Sequence, residues 1–205
     1  MRFSRRLAIV TQLAAAIWAA FLPQLALAYD HPLSDEAVRD AYFIGQDVKT
    51  VNHFLSQYTQ SLPVPASGPD VSEIALSTPY AQVVEVSAQH SVGYSAEQAA
   101  EDYQKRGDFI AVRVKVLFTP TYPDPGDDFW SSISVGLIQK THMGATAVSG
   151  EPIYSSDAYG DTVSIGANVY VQFSLVGVKS DTVQVEVVPP DGDAVHATFD
   201  LSTLR

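Results

Sequence analysis

The sequence contains no cysteine, only 12 lysines and arginines among 205 residues, and just two tryptophans. Without thiols there is no thiolate catalysis, no cysteine zinc site, no iron–sulfur cluster and no disulfide, so stability must come from a core and from backbone pairing. Scarce basic residues leave a formal charge of −11. Such a surface repels phosphate backbones and anionic lipid, which excludes nucleic acid as a natural partner. Also missing are a phosphate-cradling Gly-rich Lys loop, a dinucleotide fingerprint, His-x-x-x-His spacing, the Asp-x-Asp-x-Asp-Gly calcium pattern, internal repeats and low-complexity tracts.

What is present begins with a basic head, Met1-Arg-Phe-Ser-Arg-Arg-Leu7, followed by an apolar run that closes in Ala26-Leu27-Ala28. That anatomy predicts a bacterial secretory signal peptide over residues 1–28, cleaved after Ala28. Leu7 to Ala28 is nearly long enough to span a bilayer, but Thr11, Gln12, Pro23 and Gln24 interrupt it, so cleavage is favoured over anchoring and no membrane span is expected afterwards. Ser4-Arg5-Arg6-Leu7 partly matches a twin-arginine export signal, but Ala8-Ile9-Val10 departs from it, so the general route is favoured. Either route delivers a periplasmic or secreted protein. Removing Arg2, Arg5 and Arg6 leaves nine basic against 23 acidic residues, a net −14.

Ser34-Asp35-Glu36 predicts a helix with a capping hydroxyl and acids in its first turn, stopping at Gly45. Asp47 can cap a second helix whose face runs Val48, Val51, Leu55, Tyr58 and Leu62, giving a helical hairpin over residues 29–62. Pro63 to Pro69 then reads as a linker or strap, with a linker assigned over residues 63–70. A strand is expected over Val71–Ser77, a helix from Thr78-Pro79 into an ambiguous Tyr80–His90, and a capping-box helix from Ser95 to Lys105. From Phe109 the period becomes two: Ile110/Val112/Val114/Val116, Ile133/Val135/Leu137, Val169/Val171/Phe173, Val183/Val185/Val187 and Val195/Ala197/Phe199 all alternate. Asp191-Gly192 between the last two runs signals a hairpin. The expected fold is α+β, an antiparallel β-sandwich over residues 71–205 with a helical insertion near 79–106, immunoglobulin-like by analogy only.

Leu33 to Gln46, "LSDEAVRDAYFIGQ", and Val185 to Leu204, "VEVVPPDGDAVHATFDLSTL", resemble segments of uncharacterised secreted proteins of acidobacterial type. The resemblance implies a bacterial, exported origin and carries over no activity.

Candidate chemistry is sparse. Gly93-Tyr-Ser95-Ala-Glu97 lacks the final glycine of a nucleophile elbow, so Ser95 reads as a helix cap. The five histidines are far apart in sequence, and the carboxylates are too numerous for a catalytic pair to be chosen. Acids do gather in expected connections: Asp124, Asp127 and Asp128 in "YPDPGDDFW", Asp157 and Asp161, then Asp191 and Asp193. Calcium is the one cofactor such loops would suit, with Asp124, Asp127, Asp128, Asp157 and Asp161 as candidate ligands, although turns need Asp without any metal. Tyr122, Trp130, Tyr159 and Tyr170 are the candidate ligand-stacking rings, with Trp130, next to Phe129 at a strand start, better suited to a core anchor.

These readings lead to an exported, non-catalytic binding or structural module whose partner is an extracytoplasmic protein or a glycan. The alternatives are a carbohydrate-binding or calcium-stabilised module, and a hydrolase using loop carboxylates.

Overall fold

A computed structural model describes residues 31–205 apart from 67, 91–92, 120–121, 123–125, 127 and 157–159. Its described elements are α1 (Asp35–Gln46), α2 (Val48–Ser56), β1 (Thr59–Ser61), β2 (Pro69–Ser77), α3 (Pro79–Gln89), α4 (Ala96–Arg106), β3 (Phe109–Phe118), a 3₁₀ turn (Phe129–Ser132), β4 (Ser134–Ile138), β5 (His142–Met143), β6 (Ala147–Ser156), β7 (Thr162–Ser174), β8 (Thr182–Val188) and β9 (Val195–Asp200). The strands form two antiparallel sheets, ordered β1-β2-β3-β7-β6 and β5-β4-β8-β9. The fold class is therefore α+β, with two sheets packed as a sandwich. No described helix is long and apolar enough to cross a membrane. The expected signal peptide lies outside the described residues.

Alternation builds the sandwich core. Ile110, Val112, Val114 and Val116 of β3 meet Val169, Val171 and Phe173 of β7 on one inner face, while Leu137, Val183, Val185, Val187 and Phe199 supply the other. Burying a large aliphatic or aromatic side chain in this way is worth about 1.5–3 kcal/mol. The expected Asp-Gly hairpin joins β8 to β9, with Val187 paired to Val195.

Each helix starts where its cap places it. Ser34 accepts from Ala37 N, Asp47 from Lys49 N and Thr78 from Ala81 N, and Ser95 and Gln98 form the reciprocal capping box. The ambiguous Tyr80–His90 stretch is helical as far as Gln89. A second core of Val38, Ala41, Val51, Tyr80, Val83, Val84, Ala99 and Tyr103 holds the four helices together.

Two expectations need correction. Gly45 does not stop α1, which continues to Gln46. It is glycine because α1 crosses α3 there, and a Cβ would lie 2.5 Å from Val84 O and 2.6 Å from Ser87 Cβ. The second helix ends at Ser56 rather than running on towards Leu62, because Thr59–Ser61 peels away to pair with Glu73–Ala75 of β2. Tyr58 and Leu62 therefore pack with the sandwich instead of extending a helical face.

The two sheets give the molecule distinct ends. β2 finishes at Ser77, directly before α3, and β3 starts at Phe109, just after α4, so the helices stand at one end of the five-stranded sheet. Pro69 pairs with Phe118, Ser156 with Thr162 and Leu117 with Gly166, which places the β3 exit and the β6–β7 turn at the opposite end.

Candidate functional site

Two of the acidic connections, β3–β4 and β8–β9, come together by topology. The chain leaves β3 at Phe118, passes Tyr122 and Phe129, and enters β4 at Ser134, whose partner Val188 ends β8. The described residues of the connections at 119–128, 157–161 and 189–194 thus lie at the end away from the helices. Tyr122 Oη donates to Asp191 Oδ2 at 3.0 Å and joins the first of these connections to the third. The Tyr122 ring also closes on Phe118 and Phe129, with centroids 6.1 and 5.9 Å away. Tyr122 is therefore a structural tie between the sheets.

Of the expected calcium ligands, Asp124, Asp127 and Asp157 lie outside the described residues, as does Tyr159. Asp128 precedes the 3₁₀ turn, and its carbonyl oxygen accepts from Ser131 N and Oγ. Asp161 is exposed at the start of β7. Among the described residues no group of three or more His, Cys, Asp or Glu side chains stands in metal-holding geometry. One carboxylate near this end went unnoticed in the sequence. Asp70, two residues after Gly68, is only 6% exposed, its Oδ1 has no hydrogen-bond partner, and burial raises its pKa above the ordinary carboxyl value.

Trp130 is partly buried and packs against the sandwich core, as its apolar context suggested. Its indole lies across Gly150 of β6, where a Cβ would come within 2.4 Å of the ring. Of the histidines, His142 lies over Gly136 with Nε2 3.8 Å from Glu186 Oε2, and His196 is the cross-strand partner of Glu186.

Tyr170 behaves differently. It sits on the outer face of the five-stranded sheet, 38% exposed, beside a cleft of about 460 Å³ at the helical end. The cleft arises from register. Ala75, Arg113 and Tyr170 form one cross-strand row, and Ser77, Ala111 and Gln172 form the next. Alanines at 75 and 111 make a depression among longer side chains, and α3 walls it with Glu85 and Gln89. Gln82, one turn before Glu85, anchors that wall: its Nε2 donates to Ser77 O at 3.1 Å and to Phe109 O at 2.9 Å.

Polar groups around the cleft are internally matched. Arg113 Nη2 donates to Glu73 Oε1 at 2.7 Å, and Tyr170 Oη donates to Glu151 Oε1 at 2.6 Å. Burial pushes the Glu85 carboxyl above its ordinary pKa, opposed by the hydroxyl of Ser77, donating at 2.8 Å, and by Arg113 and Arg106. Burial, together with the Glu151 carboxylate, pushes Tyr170 up to about 12. The carboxamides of Gln89 and Gln172 have no hydrogen-bond partner among the described residues.

The polar alternation of β7 was enough to mark Tyr170, but nothing in the sequence marked Glu85, Arg113, Gln89 or Gln172. Their meeting depends on the pairing of β2, β3 and β7 and on the placement of α3. Compared with protein-family models, curated proteins and solved structures, the chain matches none.

Proposed function

We propose that the protein is an exported, non-catalytic binding module that takes a small polar ligand in the cleft between α3 and the outer face of the five-stranded sheet. Export rests on the basic head, apolar run and Ala-Leu-Ala exit of residues 1–28. The observation that carries the binding reading is the cleft itself, a concavity whose volume falls in the range of small-molecule sites and whose walls present convergent polar groups. A carboxylate-driven hydrolase is disfavoured because Glu85 is the single carboxylate lining the cleft, while neighbouring Glu73 and Glu151 are engaged by Arg113 and Tyr170.

A thermal-shift screen with neutral saccharides, amino acids and organic acids tests this reading. At least one class should raise the Tm of the native protein and leave the cleft-filling variant Ala111→Trp unmoved; no shift with any class, or equal shifts in both proteins, contradicts it. The shared acidic end favours a second reading, calcium stabilisation of those connections. Millimolar calcium should then raise Tm by several degrees, and an unchanged Tm rejects it.

A further inference from the structure

The cleft also carries information about the class of its ligand. We infer that it binds a neutral polyhydroxylated ligand, a mono- or disaccharide, in preference to an anion or a cation; this rests on the cleft being the binding site.

Charge is the first argument. Arg113 is the one guanidinium lining the cleft and already holds Glu73 at 2.7 Å, so an anionic ligand would have to compete with a carboxylate in place. An incoming cation would find Glu151 occupied by Tyr170 and Glu85 hydrogen-bonded by Ser77. Displacing Ser77 leaves the partly buried Glu85 carboxyl without its partner, which is costly, whereas the Arg113–Glu73 and Tyr170–Glu151 pairs are exposed and cost less to break. A neutral ligand avoids both penalties.

The unclaimed groups are the second argument. Gln89 and Gln172 each offer an NH₂ donor and a carbonyl acceptor, the combination that a sugar hydroxyl satisfies because it both donates and accepts. Shape agrees. Ala75, Ala111 and Leu55 give an apolar base, and the half-exposed Tyr170 ring, fixed at its hydroxyl by Glu151, stands at the margin where the C–H face of a pyranose can pack. A volume of about 460 Å³ admits one or two sugar rings.

Titration calorimetry on the full chain tests the class with matched probes: glucose, galactose, N-acetylglucosamine and cellobiose as neutral sugars, with glucuronate and glucosamine as charged counterparts of similar shape. At least one neutral sugar should bind, and charged counterparts should bind at least tenfold more weakly. Gln89→Ala and Gln172→Ala should each weaken binding roughly two- to tenfold, the range for one neutral hydrogen bond. Tyr170→Ala should weaken it more than Tyr170→Phe, which keeps the ring. Circular dichroism of the variants checks that they fold.

Glucuronate or glucosamine binding as tightly as the neutral sugars, with Ala111→Trp still abolishing it, overturns the ligand class and leaves the cleft as the site. So does a response to amino acids or organic acids with none to sugars. Sugar binding untouched by Gln89→Ala, Gln172→Ala, Tyr170→Ala and Ala111→Trp overturns both the class and the site, as does silence from every probe.

Discussion

The two ends of the five-stranded sheet differ in what they do with polar residues. At one end, Tyr122 of the β3–β4 connection is tied to Asp191 of the β8–β9 connection, with Asp128 and Asp161 exposed at the same end. At the other, α3 stands over β2 and β3 and leaves a concavity in which nearly every charge has a partner. Turn chemistry alone explains Asp beside Gly or Pro, but it does not explain two alanines set in register among Arg113, Tyr170 and Gln172.

The sharpest way to break this contrast is to move α3. Gly45→Val would drive a side chain into Val84 O and Ser87 Cβ, immediately flanking Glu85 on the helix that walls the cleft. A loss of about 3 kcal/mol is expected in denaturant unfolding, with loss of cleft binding and an unperturbed acidic end. Stability within about 0.5 kcal/mol of the native protein would show that the α1–α3 contact is not tight.

Next in size is the clasp that joins the helices to the sandwich. Tyr58, 2% exposed, donates through Oη to Arg205 O and accepts from Arg205 N, both at 3.0 Å. Arg205 in turn pairs with Asp40 at 2.7 Å and lies 4.4 Å over the Tyr80 ring. Tyr58→Phe should cost about 1–3 kcal/mol, since it leaves the part-buried Arg205 amide without its acceptor. It should also alter alkaline behaviour. Burial raises Tyr58 from 10.0 to about 12, so its contribution is complete below pH 10 and lost as pH climbs through about 12. The variant should lose that part of the alkaline decline, measured as Tm against pH.

A smaller effect compares one carboxyl from each region. Glu85 at the cleft and Asp70 towards the acidic end both have folded pKa values raised by burial. The folded state then holds protons that the unfolded chain releases, so stability falls as pH rises from the ordinary values of 4.5 and 3.8 through the raised ones. Glu85→Gln and Asp70→Asn should each flatten that fall, and the two effects should add because the sites are remote from one another. Unchanged pH profiles in both variants would show that neither carboxyl is desolvated. The smallest change is expected from Tyr122→Phe, which removes an exposed hydrogen bond and should cost under about 1 kcal/mol while sparing cleft binding.

What could be foreseen followed from local rules. Caps at Ser34, Asp47, Thr78 and Ser95, alternation in β3, β4, β8 and β9, and the Asp-Gly hairpin all depend on neighbours within a few residues. Gly45 and β6 escaped for a physical reason. Glycine 45 resembles a helix terminator until the helix crossing it is known, and Ala147–Ser156, with Gly150 and Pro152, is an edge strand lacking strong alternation. The site was visible only as Tyr170 on a polar strand face. Glu85 is 28 residues from Arg113 and farther still from Tyr170, and only the register across β2, β3 and β7 brings them to one cleft.

Backbone-amide chemical-shift mapping during titration with the neutral sugar that binds tests the cleft assignment most directly. The account predicts that the largest shifts fall on Ala75, Ala111, Arg113, Tyr170, Gln172 and Gln89, with Tyr122, Asp128 and Asp191 unmoved. Shifts centred on the acidic end, with the cleft residues silent, would contradict it.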